Sequence, residues 1–189
     1  MLIDLSIKVK MMPNKDILNR EPMVSFGHIG THFDVMNKVF PLAFTKRSAV
    51  VFDVREILNR DIEKTDIDLS LVREDMFIAF YTGFIEKEGY GTKAYFRSHP
   101  QLSNELIDLL LYRKVSIIGI DCAGVRRGAE HTPKDQYCAD KGVFIIENLC
   151  NLGEVINQNK ARLFVANTYP INADDLTGLP CRVVAEVET

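Results

Sequence analysis

Two of the four histidines in this 189-residue chain lie in a seven-residue segment that also holds a carboxylate, His28-Ile29-Gly30-Thr31-His32-Phe33-Asp34. Imidazole and carboxylate groups are good ligands for a divalent transition metal such as zinc or manganese. On a straight strand the two histidines would lie about 13 Å apart, so they reach one ion only if the segment bends. A glycine between them supplies the freedom for that bend, and the threonine hydroxyl could orient a ligand.

The same segment also has a purely structural explanation. Two hydrogen-bonded histidines at the end of a buried strand need no ion, and histidines spaced four apart occur by chance in many proteins. The spacing alone therefore leaves metal binding and a structural role open.

Two more carboxylates follow apolar runs. Asp121 either orients ligand side chains or caps the turn after its run. Glu147 is either a metal ligand or the acidic residue that starts a helix, and its spacing favours the helix start. Residues 125–139 are polar and are expected to form a loop long enough to cover a cleft. Cys122 and Cys138 have no neighbouring base in the sequence, which disfavours thiol catalysis.

The elements that must position these groups are predicted to be mostly strands. Seven runs rich in β-branched and aromatic residues cover residues 2–9, 49–54, 76–82, 115–121, 143–146, 163–166 and 182–187. Several are apolar throughout, which is typical of strands covered on both faces. Leucines at helical spacing predict a helix over residues 100–114, with shorter helices near 68–73 and after Glu147. The pattern indicates an α/β fold with one main sheet flanked by helices.

The overall composition excludes several classes of protein. The 23 basic and 26 acidic residues give a net charge of -3, so the chain has no basic footprint for nucleic acid or an anionic membrane. No apolar run approaches the roughly 18 residues that span a bilayer, and the N-terminus lacks the features of a secretory signal. Four scattered cysteines without a C-x-x-C pair indicate reduced thiols. We expect one cytoplasmic domain over residues 1–189.

Taken together, these segments resemble the cyclase-like metal-dependent hydrolase family, which includes bacterial arylformamidases (kynurenine formamidases) and isatin hydrolases. The resemblance extends over nearly the whole chain, through residues 3–6, 28–34, 81–83, 99–103, 118–121, 147–152 and 178–185. It implies a swivelling β/β/α fold with a mixed central sheet, and a metal-dependent hydrolase of cyclic or acyclic amides. It also implies a homodimer or a larger homo-oligomer.

The resemblance places the metal ligands at His28, His32 and Asp34. Glu147 falls on a carboxylate that helps to bind metal in the two-zinc members of the family. From this resemblance we expect these four residues to form the metal centre.

The chain departs from the family at two positions. Lys38 stands where a histidine serves as ligand or base, and Asp135 stands where the two-zinc members have another histidine. A protonated lysine cannot bind a metal ion and would repel a second dication. We therefore expect a single divalent ion, zinc or manganese. If Lys38 instead fills the space of the second ion, we expect it to form an ion pair with Asp135 or Glu147.

The leading hypothesis is a hydrolase that attacks a small amide, lactam or related carbonyl substrate with a metal-activated water. Lys38, Asp135 and Glu147 are the candidates for moving the proton. The alternative is a family member that binds a metal or a small ligand without turnover, because two histidine positions are substituted. A third hypothesis is an interaction protein without a metal, in which the histidine segment is only structural.

Overall fold

The computed structural model describes residues 1–9 and 26–188. Eight strands lie in these ranges: β1 (Leu2–Asp4), β2 (His32–Asp34), β3 (Lys46–Asp53), β4 (Phe77–Tyr81), β5 (Ile117–Ile120), β6 (Phe144–Glu147), β7 (Ala161–Pro170) and β8 (Gly178–Glu186). The same ranges contain five α-helices: α1 (Phe84–Glu88), α2 (Lys93–Ser98), α3 (Asn104–Tyr112), α4 (His131–Asp140) and α5 (Leu152–Ile156). Short 3-10 turns are formed by Leu42–Thr45, Lys64–Asp66, Leu69–Leu71 and Gly128–Glu130.

All eight strands belong to one mixed sheet. Their order is β1-β8-β2-β6-β5-β4-β3-β7, and β7 also pairs with β8, so seven strands close into a ring that β1 extends at β8. Strands β3, β4, β5 and β6 lie side by side in this order, and these four strands are parallel to one another. Strand β2 is antiparallel to both β6 and β8. The predicted α/β fold with a mixed sheet and flanking helices is confirmed.

Both faces of the parallel strands are buried, which explains why their sequences are apolar throughout. One core cluster draws side chains from all seven ring strands and therefore lies inside the ring; it includes Phe33, Val51, Phe77, Phe144 and Val183. A second cluster joins the outward side chains to α3; it includes Val50, Phe80, Ile145, Leu106 and Leu110. Successive residues along β3, β4 and β6 alternate between the two cores.

The predicted helices are shorter in the structure than in the sequence analysis. Helix α3 begins after Ser103, whose hydroxyl accepts a hydrogen bond from the Leu106 backbone N–H at 3.1 Å, as expected of an N-cap. The helix predicted near residues 68–73 is a single 3-10 turn, and α5 is the short helix that follows Glu147. Of the helices in the described ranges, none combines the length and apolar character needed to cross a membrane.

The expectation of a loop over residues 125–139 is wrong. A 3-10 turn and then α4 occupy most of this stretch. The apolar residues of α4 do not recur at helical spacing, so its sequence does not predict a helix. The helix instead buries Asp135, Cys138 and Ala139 against the sheet.

The chain bends immediately before β2, as the glycine between the histidines led us to expect. Gly30 has a φ of 62° and Gly27 a φ of 91°. A Cβ atom on Gly27 would lie 1.9 Å from the carbonyl oxygen of Gly178, because the two backbones are in direct contact. The Gly178 N–H also donates to the carbonyl of Phe26 at 2.9 Å. This contact fixes where the chain enters His28.

We predict that Gly27→Ala destabilises the protein by about 3 kcal/mol or more, because it adds a backbone clash to the strain of a positive φ. Gly89→Ala is the matched control, since Gly89 also has a positive φ of 75° but open space around its Cβ position. It should lose only about 1–3 kcal/mol, the cost of its strained backbone conformation alone. Urea unfolding measures both, and equal losses would show that the contact with Gly178 is not constraining.

Candidate metal centre

Strand β2 pairs with β6, and this pairing brings a histidine and a glutamate together. His32 lies directly opposite Glu147, and Asp34 lies opposite Ile145. Phe33, between them, points into the core inside the ring. Because side chains alternate along a strand, His32 and Asp34 face the other side of the sheet, where α4 packs against β6.

Three ligand atoms converge at the start of β2. His28 Nδ1 lies 2.8 Å from Asp34 Oδ1 and 3.1 Å from His32 Nε2, and His32 Nε2 lies 3.4 Å from Asp34 Oδ1. Neighbouring ligand atoms around a tetrahedral zinc ion are separated by about 3.3 Å, given bonds of about 2.0–2.1 Å. The three atoms therefore already have the spacing of a metal-binding triad, which we call the first donor group.

The other nitrogen of each ring has a protein partner. His32 Nδ1 donates a hydrogen bond to the carbonyl oxygen of Gly30 at 2.9 Å. His28 Nε2 is 2.8 Å from Thr177 Oγ1. These contacts leave His32 Nε2 and His28 Nδ1 facing Asp34, and a fixed second nitrogen is the usual way that proteins orient a histidine ligand.

A second donor group lies beside the first and shares Asp34 with it. Its members are Asp34, His131, Asp135 and Glu147, with ligand atoms all within 4.8 Å of one another. His131 Nε2 lies 2.8 Å from Glu147 Oε1 and 3.3 Å from Asp135 Oδ2. The other Glu147 oxygen, Oε2, lies 3.5 Å from His32 Nε2. Glu147 therefore reaches both groups.

Several carboxylate oxygens in these groups are buried without a hydrogen bond. Both oxygens of Asp34 and Oδ1 of Asp135 find no donor among the described residues. His28 Nδ1 is close to Asp34 Oδ1, but it is not aligned as an N–H donor. Burying such groups unpaired is costly unless a cation compensates them. The residues present thus fit a divalent ion.

The charges at the site are strongly coupled in the protein alone. Burial lowers the pKa of His32, but the charges of Asp34 and Glu147 and the hydrogen bonds to Asp34 and Gly30 together outweigh it and raise that pKa to about 9. Burial likewise opposes the charge of Glu147 at His131, whose pKa rises to about 10. Burial and then the charge of Asp34 raise the pKa of Asp135 well above its usual value. In the absence of a cation, protons bound to these residues therefore offset the buried negative charge.

Comparison with known proteins identifies the family. A family model named Cyclase matches residues 3–127, which is more than half of the chain. The chain belongs to the cyclase family. No curated protein sequence matches this cyclase-family chain.

The fold of this cyclase-family chain is also found in solved structures. A potential metal-dependent hydrolase with cyclase activity has a TM-score of 0.74 at 20% identity, covering 100% of this chain and 99% of the other. Isatin hydrolase A from Ralstonia solanacearum has a TM-score of 0.75 at 16% identity, covering 100% and 92%. Isatin hydrolase A from Labrenzia aggregata, bound to benzyl benzoate, has a TM-score of 0.71 at 18% identity, covering 98% and 93%.

Of the six residues that the sequence analysis expects to bind the metal or move a proton, the structure of this cyclase-family chain brings together all but one. Lys38 is the exception. Its Nζ pairs with Asp140 Oδ1 at 2.7 Å on the surface, so the expected ion pair with Asp135 or Glu147 is wrong. The turn after β2 directs Lys38 along α4 towards the end of that helix. From the middle of the helix, Gln136 also donates a hydrogen bond to Asn37 Oδ1 at 2.9 Å. Both contacts hold α4 against this turn.

His131 is the site residue that the sequence analysis missed. The sequence analysis expects a polar loop at this position, and in a loop the spacing of four residues between His131 and Asp135 does not predict that their side chains meet. In α4 the two residues are one helical turn apart, so both side chains point towards the same place. A search for ligand-type residues at helical spacing, rather than for apolar ones, would have detected the pair.

Asp121 holds two strand ends together and does not contact the ligand side chains. It accepts hydrogen bonds from the N–H of Thr82 at 3.0 Å, the Thr82 hydroxyl at 2.6 Å and the N–H of Gly83 at 2.7 Å. Burial nevertheless raises the pKa of Asp121 to about 6. All four cysteines are unpaired, and burial raises the pKa of Cys138 to about 12, which makes its thiol a poor nucleophile.

We predict that binding of Zn²⁺ at neutral pH releases protons. His32 and His131 hold protons up to a pKa of about 9 and about 10, and these must leave before the nitrogens bind an ion. The affinity should therefore weaken as the pH falls from about 9 towards about 6. Calorimetric titration in buffers of different ionisation enthalpy counts the released protons. Binding without proton release would contradict the protonation states described above.

Proposed function

We propose that this cyclase-family chain is a metal-dependent hydrolase that cleaves the amide, lactam or related carbonyl bond of a small substrate. The observation that carries the proposal is the convergence of His28 Nδ1, His32 Nε2 and Asp34 Oδ1 within 3.4 Å of one another, beside buried carboxylate oxygens without donors. The names of its structural neighbours, metal-dependent hydrolase and isatin hydrolase, support the same chemistry.

The donor types suggest which ions fit. The first group offers two imidazoles and one carboxylate, a set that suits zinc or manganese. The second group offers one imidazole and three carboxylates, so its oxygen-rich set favours manganese over zinc. A divalent ion bound there supplies Lewis-acid chemistry, which acidifies water and polarises a carbonyl oxygen.

We infer that the centre has positions for two ions that share Asp34. The expectation of a single ion depended on a repelling lysine and on a missing imidazole. Lys38 instead pairs with Asp140, and His131 supplies an imidazole to the second group. The physical reasons against a second ion are therefore absent from the described site.

Asp135 is the residue best placed to move a proton. Its Oδ2 faces His131, whereas its buried Oδ1 has no donor among the described residues. Once the proton that burial favours on Asp135 has been displaced by ion binding, its Oδ1 can accept a proton from the water that adds through oxygen to the carbonyl carbon. The carbon–nitrogen bond then breaks, and the same atom returns the proton to the leaving nitrogen.

Gly124 packs closely against the second donor group. A Cβ atom there would lie 2.8 Å from the carbonyl oxygen of Arg126, 3.1 Å from His131 Nε2 and 3.3 Å from Glu147 Oε1. Gly124 therefore matters to the site through its small size.

The alternative function is metal binding without turnover. It is favoured by the orientation of Lys38, which occupies the position of a family histidine and yet turns away to Asp140. The two functions share the metal centre, so only an activity measurement separates them.

We predict that the wild-type protein binds about two equivalents of Mn²⁺ and that His131→Ala binds about one, because the variant removes the only imidazole of the second group. Elemental analysis after equilibrium dialysis measures the number of bound ions. A wild-type protein that binds one ion, with no change in His131→Ala, would restore the single-ion expectation.

We predict that the metal-loaded protein hydrolyses at least one of three test compounds: isatin, an aryl formamide and an aromatic lactone. Asp135→Asn should lower kcat by about 10²-fold or more, because the amide cannot carry the proton. Asp140→Asn is the matched control, with the same change on the exposed end of the same helix, and should keep wild-type activity. A metal-loaded protein without turnover on the whole panel would favour the binding function.

A further inference from the structure

A network of buried hydrogen bonds reaches the first donor group from behind. The carbonyl oxygen of Gly30 accepts one hydrogen bond from His32 Nδ1 and another from Asn148 Nδ2, each at 2.9 Å. Two bonds use both acceptor positions of a carbonyl oxygen. Asn148 Oδ1 in turn accepts a hydrogen bond from the Tyr95 hydroxyl at 2.7 Å. The network thus connects Tyr95 to a histidine ligand.

The orientation of the Asn148 amide follows from its surroundings. If the amide were reversed, its oxygen would face the Gly30 carbonyl oxygen, and two acceptors would repel each other. With Nδ2 towards Gly30 and Oδ1 towards Tyr95, the two short contacts of the amide each pair a donor with an acceptor. Because the Gly30 carbonyl can only accept, His32 Nδ1 keeps its proton, and Nε2 is the nitrogen that binds the ion once its own proton has left.

The backbone explains why Asn148 can reach behind the ligand segment. It directly follows Glu147 and has a φ of 58°, a left-handed conformation that asparagine tolerates better than most residues. Its own carbonyl accepts a hydrogen bond from the Thr31 hydroxyl at 2.7 Å. Asn148 and Tyr95 are both buried, so the network is shielded from water.

We propose that Asn148 and Tyr95 are positioning residues of the metal centre. They fix the Gly30 carbonyl, and this carbonyl holds His32 in the tautomer and orientation that a metal ion requires. Loss of such indirect partners of a histidine ligand typically weakens metal affinity by about 10- to 100-fold. The inference rests on the proposed function, because it presumes the metal centre.

The test compares Asn148→Gly and Tyr95→Phe with the matched control Tyr81→Phe. Glycine keeps the left-handed backbone without strain and removes the amide. Tyr81 is also buried, but its hydroxyl donates to Glu86 at 2.8 Å, outside the network. Zn²⁺ affinity is measured by competition with a chromogenic chelator, the unfolding of the metal-free proteins with urea, and the hydrogen bond from His32 Nδ1–H to Gly30 by proton and nitrogen NMR of the Zn²⁺-bound proteins.

We expect Asn148→Gly to weaken Zn²⁺ binding by about 10- to 100-fold and to shift the NMR signal of the His32 Nδ1–H, because the Gly30 carbonyl that accepts its hydrogen bond is no longer fixed. Tyr95→Phe should weaken binding less, and Tyr81→Phe should keep wild-type affinity whatever stability it loses. Wild-type affinity in Asn148→Gly, or an equal loss in Tyr95→Phe and Tyr81→Phe, would overturn the inference alone. A wild-type protein that binds no Zn²⁺ would overturn the metal centre itself.

Discussion

The antiparallel register between β2 and β6 is the constraint on which the rest of the site depends. It places His32 opposite Glu147, and it is held by Phe33, which is fully buried inside the ring. A slip of one residue would bring Phe33 to the ligand side and turn His32 and Asp34 into the apolar core. The hydrophobic core therefore selects the one register in which the ligand residues meet.

Within that register, the centre is organised by compensation of buried charge. Three carboxylates of the centre are buried: Asp34, Asp135 and Glu147. Among the described residues, two histidines of strongly raised pKa lie beside them, and few groups donate hydrogen bonds to them. Such a cluster works against stability unless a cation binds, because unpaired buried carboxylates are costly. Departures of this kind from the ordinary rules of folding are concentrated at functional sites.

Apolar runs predicted seven of the eight strands of the described residues, whereas β2 was not among them, because its three residues are a histidine, a phenylalanine and an aspartate. The spacing of the ligand residues left metal binding open, and the family resemblance selected His28, His32 and Asp34. The second donor group depends on α4, whose polar sequence lacks an apolar period, so His131 was not recognised. The partner of Lys38 depends on the turn after β2, where Met36 has a φ of 57°, and residue types alone do not specify such a turn.

The most direct test of the metal centre is anomalous scattering from crystals of the protein purified without added metal. A bound ion should give a peak about 2.0–2.2 Å from His28 Nδ1, His32 Nε2 and an oxygen of Asp34. Well-ordered crystals without a peak at this site, with the two imidazoles in contact with each other and with Asp34, would show that the cluster is structural. That result would contradict the central claim.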